Sequence, residues 1–205
     1  RQMCIRDSSN TSGYGSVIGA ESGSGAPFIA FSAGAGTNSN TYRTYGIAGC
    51  VIKTDNAGGL TFNSVTNANA DNQTTTERMR IDSSGNVLVT NPAGLGYGTG
   101  SGGTVTQATS KATAVTLNKP TGQIITAADA LAANTVVNFT FTNSLLSIYD
   151  NLVLTFNSNS VNIDKYNVWA SVNNGSAIIY LKNISAGSLS EAKYINFAII
   201  KGATS

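Results

Sequence analysis

Residues 74–90 read Thr74-Thr75-Thr76-Glu77-Arg78-Met79-Arg80-Ile81-Asp82-Ser83-Ser84-Gly85-Asn86-Val87-Leu88-Val89-Thr90. Met79 and Ile81 alternate with Arg78, Arg80 and Asp82, the period of two that sends successive side chains to opposite faces of a strand. Asp82-Ser83-Ser84-Gly85-Asn86 then supplies turn chemistry. Its carboxylate can accept N–H groups of its own turn, and Gly85 or Asn86 can take φ > 0. Val87-Leu88-Val89 returns as a β-branched apolar run. Together these features predict a β-hairpin over 77–90. It closes one β unit and hands the chain to a second.

The composition around that hairpin suits strands and turns. Only 11% of the 205 residues are charged, against roughly a quarter in an average globular protein. Asn, Ser and Thr make up about a third, an uncharged polar surface. Hydrophobic residues are 41%, enough for a packed core. A net charge of +2 with no basic run gives no case for nucleic acid or a membrane surface. No apolar stretch approaches the roughly 20 residues that span a bilayer, so no membrane insertion is expected. There is no histidine, which removes the commonest general base and transition-metal ligand. Cys4 and Cys50 make no disulfide framework, and Cys50 reads as a buried free thiol.

Working outward, residues 8–26 are Ser/Gly-rich, with a short periodic piece at 16–20. Strand signals follow at 27–32, 45–53 and 60–65, separated by turn-like 33–40 and 55–59. Residues 67–75 read as a long exposed loop. Residues 91–103, Asn-Pro-Ala-Gly-Leu-Gly-Tyr-Gly-Thr-Gly-Ser-Gly-Gly, are the sharpest composition shift and read as a linker. Beyond them 113–118 alternates, 122–126 is short and apolar, and 127–133 is helix-like for about one or two turns. Val137, Phe139 and Phe141 share one strand face, and Leu152, Leu154 and Phe156 repeat the pattern. Residues 166–172, 177–182 and 192–201 are further strands. The last is nearly all apolar, predicting a central strand or one buried at an interface. Roughly seven or eight short strands argue for a sandwich or jelly-roll-like domain. The fold expected is therefore all-β: an N-terminal β unit over 8–90 ending in the hairpin, a Gly-rich linker over 91–103, and a C-terminal antiparallel β-sandwich over 104–205.

Gly58-Gly59-Leu60-Thr61-Phe62 followed by Thr76-Glu77-Arg78-Met79-Arg80-Ile81-Asp82-Ser83-Ser84-Gly85-Asn86-Val87 resembles a segment that recurs in bacteriophage tail fibres and related tail proteins. There it tends to sit just upstream of a C-terminal module. Gly102-Gly103-Thr104-Val105-Thr106-Gln107, Val115-Thr116-Leu117-Asn118-Lys119, Phe141-Thr142-Asn143-Ser144, Gly187-Ser188-Leu189-Ser190-Glu191-Ala192 and Ile195-Asn196-Phe197-Ala198-Ile199-Ile200-Lys201-Gly202 resemble, in order, such a module of environmental phage structural proteins. The resemblance implies a virion structural role, a homotrimer, other virion tail or capsid proteins as partners, and a virion location reached from the host cytoplasm. It names no receptor. Arg1-Gln2-Met3-Cys4-Ile5-Arg6-Asp7 resembles translated sequencing-adapter read-through and is set aside from fold reasoning. The natural N-terminus, with any attachment region, is then expected to lie beyond this sequence.

Candidate chemistry is sparse. Gly98-Thr99-Gly100-Ser101-Gly102-Gly103 matches G-x-G-x-x-G, but a β-like segment follows where a phosphate-binding helix is required. Ser110-Lys111, and Ser190 with Lys193, are formal Ser–Lys dyads without a pocket signal beside them. Asp82–Asn86 lacks the alternating carboxylates of a calcium loop. The ten acids are dispersed, so glycosidase chemistry needs two distant ones to meet, as in some tailspike hydrolases. No catalytic, cofactor or metal residue is assigned.

What remains is recognition. Aromatic rings beside amides and hydroxyls suit sugars, stacking on the C–H face while donors take the hydroxyls. Tyr149, Tyr166 and Trp169, with Asn151, Asn159, Asn173 and Asn174 in loops 143–151, 157–165 and 173–176, are the candidates. These loops are expected at one end of the sandwich. For Trp169 a core position is the stronger expectation, because strand tryptophans pack. The function expected is a non-catalytic tail-fibre protein displaying glycan-binding loops. The alternatives are a capsid decoration or head fibre without receptor binding, and a tailspike-like depolymerase.

Overall fold

The computed structural model describes residues 5–6, 15–21, 23–90 and 94–203. Of 1–7, only Ile5 and Arg6 fall within that range. The rest of that stretch and 91–93 of the Gly-rich segment lie outside the described residues. The chain divides into two compact units, Arg1–Leu95 and Gly96–Ser205.

The first unit is built on β1 (Ile5–Arg6), β2 (Ser16–Ala20), β3 (Pro27–Phe31), β4 (Ala33–Ala35), β5 (Tyr42–Thr44), β6 (Gly49–Thr54), β7 (Leu60–Val65), β8 (Thr76–Ile81) and β9 (Val87–Val89). Seven of them form one antiparallel sheet in the order β1-β2-β3-β6-β7-β8-β9, while β4 and β5 pair separately. Its small core is Phe28, Ala30, Ala33, Tyr42, Val51 and Val65, with Phe28 edge-on to Tyr42 at 5.3 Å. The hairpin that opened the sequence is β8–β9. The Asp82 carboxylate accepts the Ser84 and Asn86 N–H groups at 2.9 Å, and Gly85 takes φ 85°, which glycine adopts without a Cβ penalty. The 67–75 loop is pinned rather than free, because Gln73 and Tyr42 exchange both backbone hydrogen bonds and Arg43 pairs with Asp71.

The second unit holds β10 (Thr104–Thr106), β11 (Val115–Thr116), β12 (Thr121–Ile125), β13 (Val136–Thr142), β14 (Asn151–Phe156), a 3-10 turn (Ile163–Lys165), β15 (Tyr166–Asn173), β16 (Ser176–Asn183) and β17 (Tyr194–Ile200). Two four-stranded sheets, β10-β12-β17-β14 and β11-β13-β16-β15, enclose a core of Val115, Ile124, Phe139, Phe141, Leu146, Ile179, Ile195, Phe197 and Ile199, with smaller neighbours. The expected β-sandwich is present, with two parallel pairings, β10–β12 and β11–β13, among the antiparallel ones. Alternation explains the core: Phe139 and Phe141 point in while Asn138, Thr140 and Thr142 do not. Phe141 meets Phe197 across the two sheets at 4.9 Å. At Gly122 a Cβ would stand 2.4 Å from the Gly103 carbonyl, so only glycine lets β12 approach there. β17 is central in its sheet; its inner residues are buried, while Ile200 on its outer face is 56% exposed.

Two expectations are corrected. Residues 127–133 form no helix. Residues 127–130 are irregular, Leu131 bridges to Leu189 and a turn follows at 133–134; the Ala127 and Asp129 carbonyls accept from Lys111 Nζ. Cys50 is exposed, not buried, because it stands opposite Phe31 and Ser64 on the uncovered side of the first sheet.

Candidate functional site

The seven recognition residues do not form one site. Tyr149 and Asn151, at the start of β14, and Asn173 and Asn174, at the β15–β16 turn, belong to one end of the second unit. There the Ile148 N–H donates to Asn174 Oδ1 at 3.0 Å, and the Gly175 N–H donates to the Leu146 carbonyl at 2.9 Å. Asn159 lies past the opposite end of β14, about 20 Å away for six extended residues. The 157–165 loop is therefore not at the same end as the other two. Tyr166 is 3% exposed and is excluded as a receptor contact. It starts β15 with its ring inward, edge-on to Phe156 at 6.5 Å and under Lys193 Nζ at 3.9 Å.

Trp169 corrects the core expectation in the other direction. Since Tyr166, Val168, Ala170 and Val172 are the residues of β15 packed against buried clusters, the strand period turns Trp169 outward. It is 42% exposed. Its register partner on β16 is Tyr180, and the rings stack at 5.3 Å between centroids and 5° between planes. Asn138 follows Tyr180 in the same row on β13. Ser171 and Asn167 flank Trp169 on the same side of β15. β15 is an edge strand of its sheet, so no strand is hydrogen-bonded to it beyond the indole. One ring face is braced by Tyr180 and the other side of the pair is open. Tyr180 and Asn138 were not singled out from sequence, because only strand register couples positions this far apart.

A second feature was also invisible in sequence. In the first unit a polar groove of ≈ 420 Å3 is lined by Glu21, Asp55, Glu77, Lys53 and Asn63, among others. Three carboxylates scattered over 57 positions meet because β6, β7 and β8 are register neighbours. Each is already engaged. Burial works to raise the Glu21 carboxyl, but hydrogen bonds from Lys53, Ser24 and Tyr42 outweigh it and hold it low. The Gly59 and Ala57 N–H groups hold Asp55 low, and Arg80 holds Glu77 low. All three are thus carboxylates at neutral pH, and none is the raised-pKa acid that protonates a glycosidic oxygen.

The lysines of both Ser–Lys dyads are also committed elsewhere. Lys193 is fully buried. Its ammonium donates to the Val161 carbonyl and to Glu191 Oε1 at 3.2 Å, while Glu191 also accepts from Asn162 at 3.0 Å. Lys111, 1% exposed, donates to the Ala127 and Asp129 carbonyls. These ammonium groups pin loops by donating to their carbonyls. The glycines of 98–103 lead directly into β10 and open no helix. Among the described residues no group of three or more His, Cys, Asp or Glu is placed to hold a metal ion, and no helix is long and apolar enough to cross a membrane.

No protein-family model matches the chain, and neither a curated protein nor a solved structure matches it.

Proposed function

We propose that this chain is a non-catalytic virion protein of the tail-fibre type, assembled as a homotrimer, that contacts host-surface glycan through the Trp169–Tyr180 face of its second unit. The observation that carries the glycan part is the parallel aromatic pair, exposed at Trp169 and half-buried at Tyr180, with Asn138, Asn167 and Ser171 around it. An indole held by a stacked neighbour offers a rigid apolar platform at low entropic cost, and nearby amides and hydroxyls supply the directional bonds a sugar requires. Such a contact is weak singly. Three tethered copies raise avidity by roughly two to four orders of magnitude without any new kind of interaction.

The virion part rests on the resemblance of the hairpin segment and the C-terminal module to phage fibre proteins. The three ionised, engaged carboxylates of the first unit's groove favour this over the depolymerase alternative.

The test is a glycan array and cell-adsorption assay on the full chain, beside Trp169→Ala and Tyr180→Ala. Wild type is expected to bind a surface polysaccharide, with Trp169→Ala weakening binding at least tenfold while the circular dichroism spectrum stays unchanged. Equal binding by wild type and Trp169→Ala overturns the site. Release of reducing ends from the polysaccharide overturns the non-catalytic reading.

A further inference from the structure

The first unit's sheet carries a small core and a polar groove on its covered face and apolar rows on the other. On the covered face lie Phe28, Ala30, Val51 and Val65 of the small core. On the other face, strand register lines up Ile18, Ile29, Ile52, Phe62, Met79 and Val89 in one unbroken row from β2 to β9. A parallel row carries Phe31 and Cys50, and a third carries Leu60, Ile81 and Val87. Much of this surface meets solvent: Ile18 is 53% exposed, Phe31 46% and Val87 62%. A sheet with one solvated face normally alternates apolar with polar residues, and continuous apolar character belongs to sheets covered on both sides.

We infer that this open face is where copies of the chain meet, turned inward about the three-fold axis so that each face is covered by its equivalents. The inference deepens the fibre reading by naming the surface its assembly rests on. Three observations select a second copy as the occupant. First, none of the ladder positions in the three rows carries a charge; Arg78, at the β7–β8 irregularity, is turned to Ser64 at the margin. An uncharged face meets its own copy without like-charge repulsion or desolvated ions. Second, six strands about 4.8 Å apart and five residues of about 3.3 Å rise give a patch of roughly 500 Å2. Two such patches together reach about 1,000 Å2, where specific interfaces begin. Third, one margin turns polar, where Ser16, Ser64 and Thr76 end the row that carries Phe31 and Cys50. An apolar centre that gives way to polar residues at its rim is the anatomy of an interface. Ile18, Ile29, Ile52 and Leu60 also line a shallow groove of ≈ 210 Å3, which an apolar side chain of the facing copy can enter.

The test uses the full chain and two independent readouts. Light scattering at micromolar concentration is expected to give a multiple of the 21.0 kDa chain mass, and Ile29→Lys with Phe62→Lys to reduce it to one chain. Val153→Lys, on the outer face of the second unit's sheet, leaves the mass unchanged. For the second readout, Cys4→Ser leaves Cys50 as the sole thiol. Its labelling is expected to slow at least tenfold in the assembly and to recover on dilution below the dissociation constant. A wild-type monomer overturns both this inference and the homotrimer. An assembly that persists in the double-lysine variant, or that leaves Cys50 labelling unslowed, overturns the face alone and leaves the fibre reading standing.

Discussion

The two units spend apolar residues differently. The second folds two four-stranded sheets over one another, so Phe139, Phe141, Ile195 and Phe197 vanish between them, and its outer faces mix polar residues such as Asn138, Asn167 and Ser171 with apolar ones such as Val153 and Ile200. Among the described residues the first has one large sheet, with the β4–β5 pair and its loops as second layer. It therefore buries six hydrophobic residues as a core and leaves a whole apolar face to solvent. A sandwich completes its burial within one chain, whereas a single sheet with an apolar open face completes it only against something else. The second unit should be stable by itself, and the first should gain stability from association.

Paired core and face truncations break this comparison most strongly if it is wrong. Phe141→Ala removes a fully buried ring from the sandwich and should cost about 3–5 kcal/mol, seen as a large downward shift of one calorimetric transition. Phe31→Ala, on the open face of the first sheet, should cost under about 1 kcal/mol in dilute protein. Its cost should grow with concentration, because linkage adds the lost association energy. Equal and concentration-independent losses for the two variants would mean that the sheet's open face is merely surface.

Much of this division was legible in the chain itself. Alternation placed Phe139 against Asn138 and Thr140, and the Asp82–Asn86 turn chemistry placed the β8–β9 hairpin. Which side of a strand faces the core is less legible, since a period of two gives two answers and only pairing chooses. Trp169 and Tyr166 exchanged roles for that reason: an odd separation of three puts them on opposite faces, and the inward set is fixed by Val168 and Ala170. Cys50 turned outward by the same logic. The groove carboxylates Glu21, Asp55 and Glu77, and the pair Trp169–Tyr180, rest on long-range register that no local window contains. The alanines of 127–133 suggested a helix because propensity counts only local preference, whereas Lys111 and Leu189 take up that segment's backbone groups.

Acid separates the units by a second, smaller effect. Burial alone would raise Glu191, but Asn162 and Lys193 hold it down at about 2, from an ordinary 4.5. Lys111 and Tyr166 are the other titratable groups coupled to it. A carboxyl whose folded value is depressed stabilises fully above its unfolded value and loses that contribution as pH falls through the folded one. The second unit should thus lose on the order of 2 kcal/mol between pH 4.5 and about 2, after allowance for partial exposure. Glu191→Gln should flatten this limb of the stability profile. The acid limb of the first unit, set by Glu21, Asp55, Asp71, Glu77 and Asp82, should not move. An unchanged limb for the second unit would mean that the Lys193–Glu191 contact carries no net stability.

The smallest effect is expected at Tyr166. Its ring fills the space between Phe156 and Lys193, and its buried hydroxyl makes no hydrogen bond of good geometry, although the Glu191 carboxylate lies near enough to act on it. Burial, with the Glu191 carboxylate second, pushes the phenol up to about 12, so it stays neutral across the physiological range. A buried hydroxyl without a partner is a desolvation cost with no compensating bond. Tyr166→Phe keeps the ring, the edge contact and the cation–π geometry while removing that cost. The transition of the second unit should hold steady or rise, by no more than about 1 kcal/mol. The first unit's transition should be untouched, as additivity over distant sites requires. A loss above about 1 kcal/mol would mean instead that the hydroxyl is bonded in solution and belongs to the Lys193–Glu191–Asn162 network. That network would then hold the 157–165 loop against the sandwich by one contact more than the geometry records.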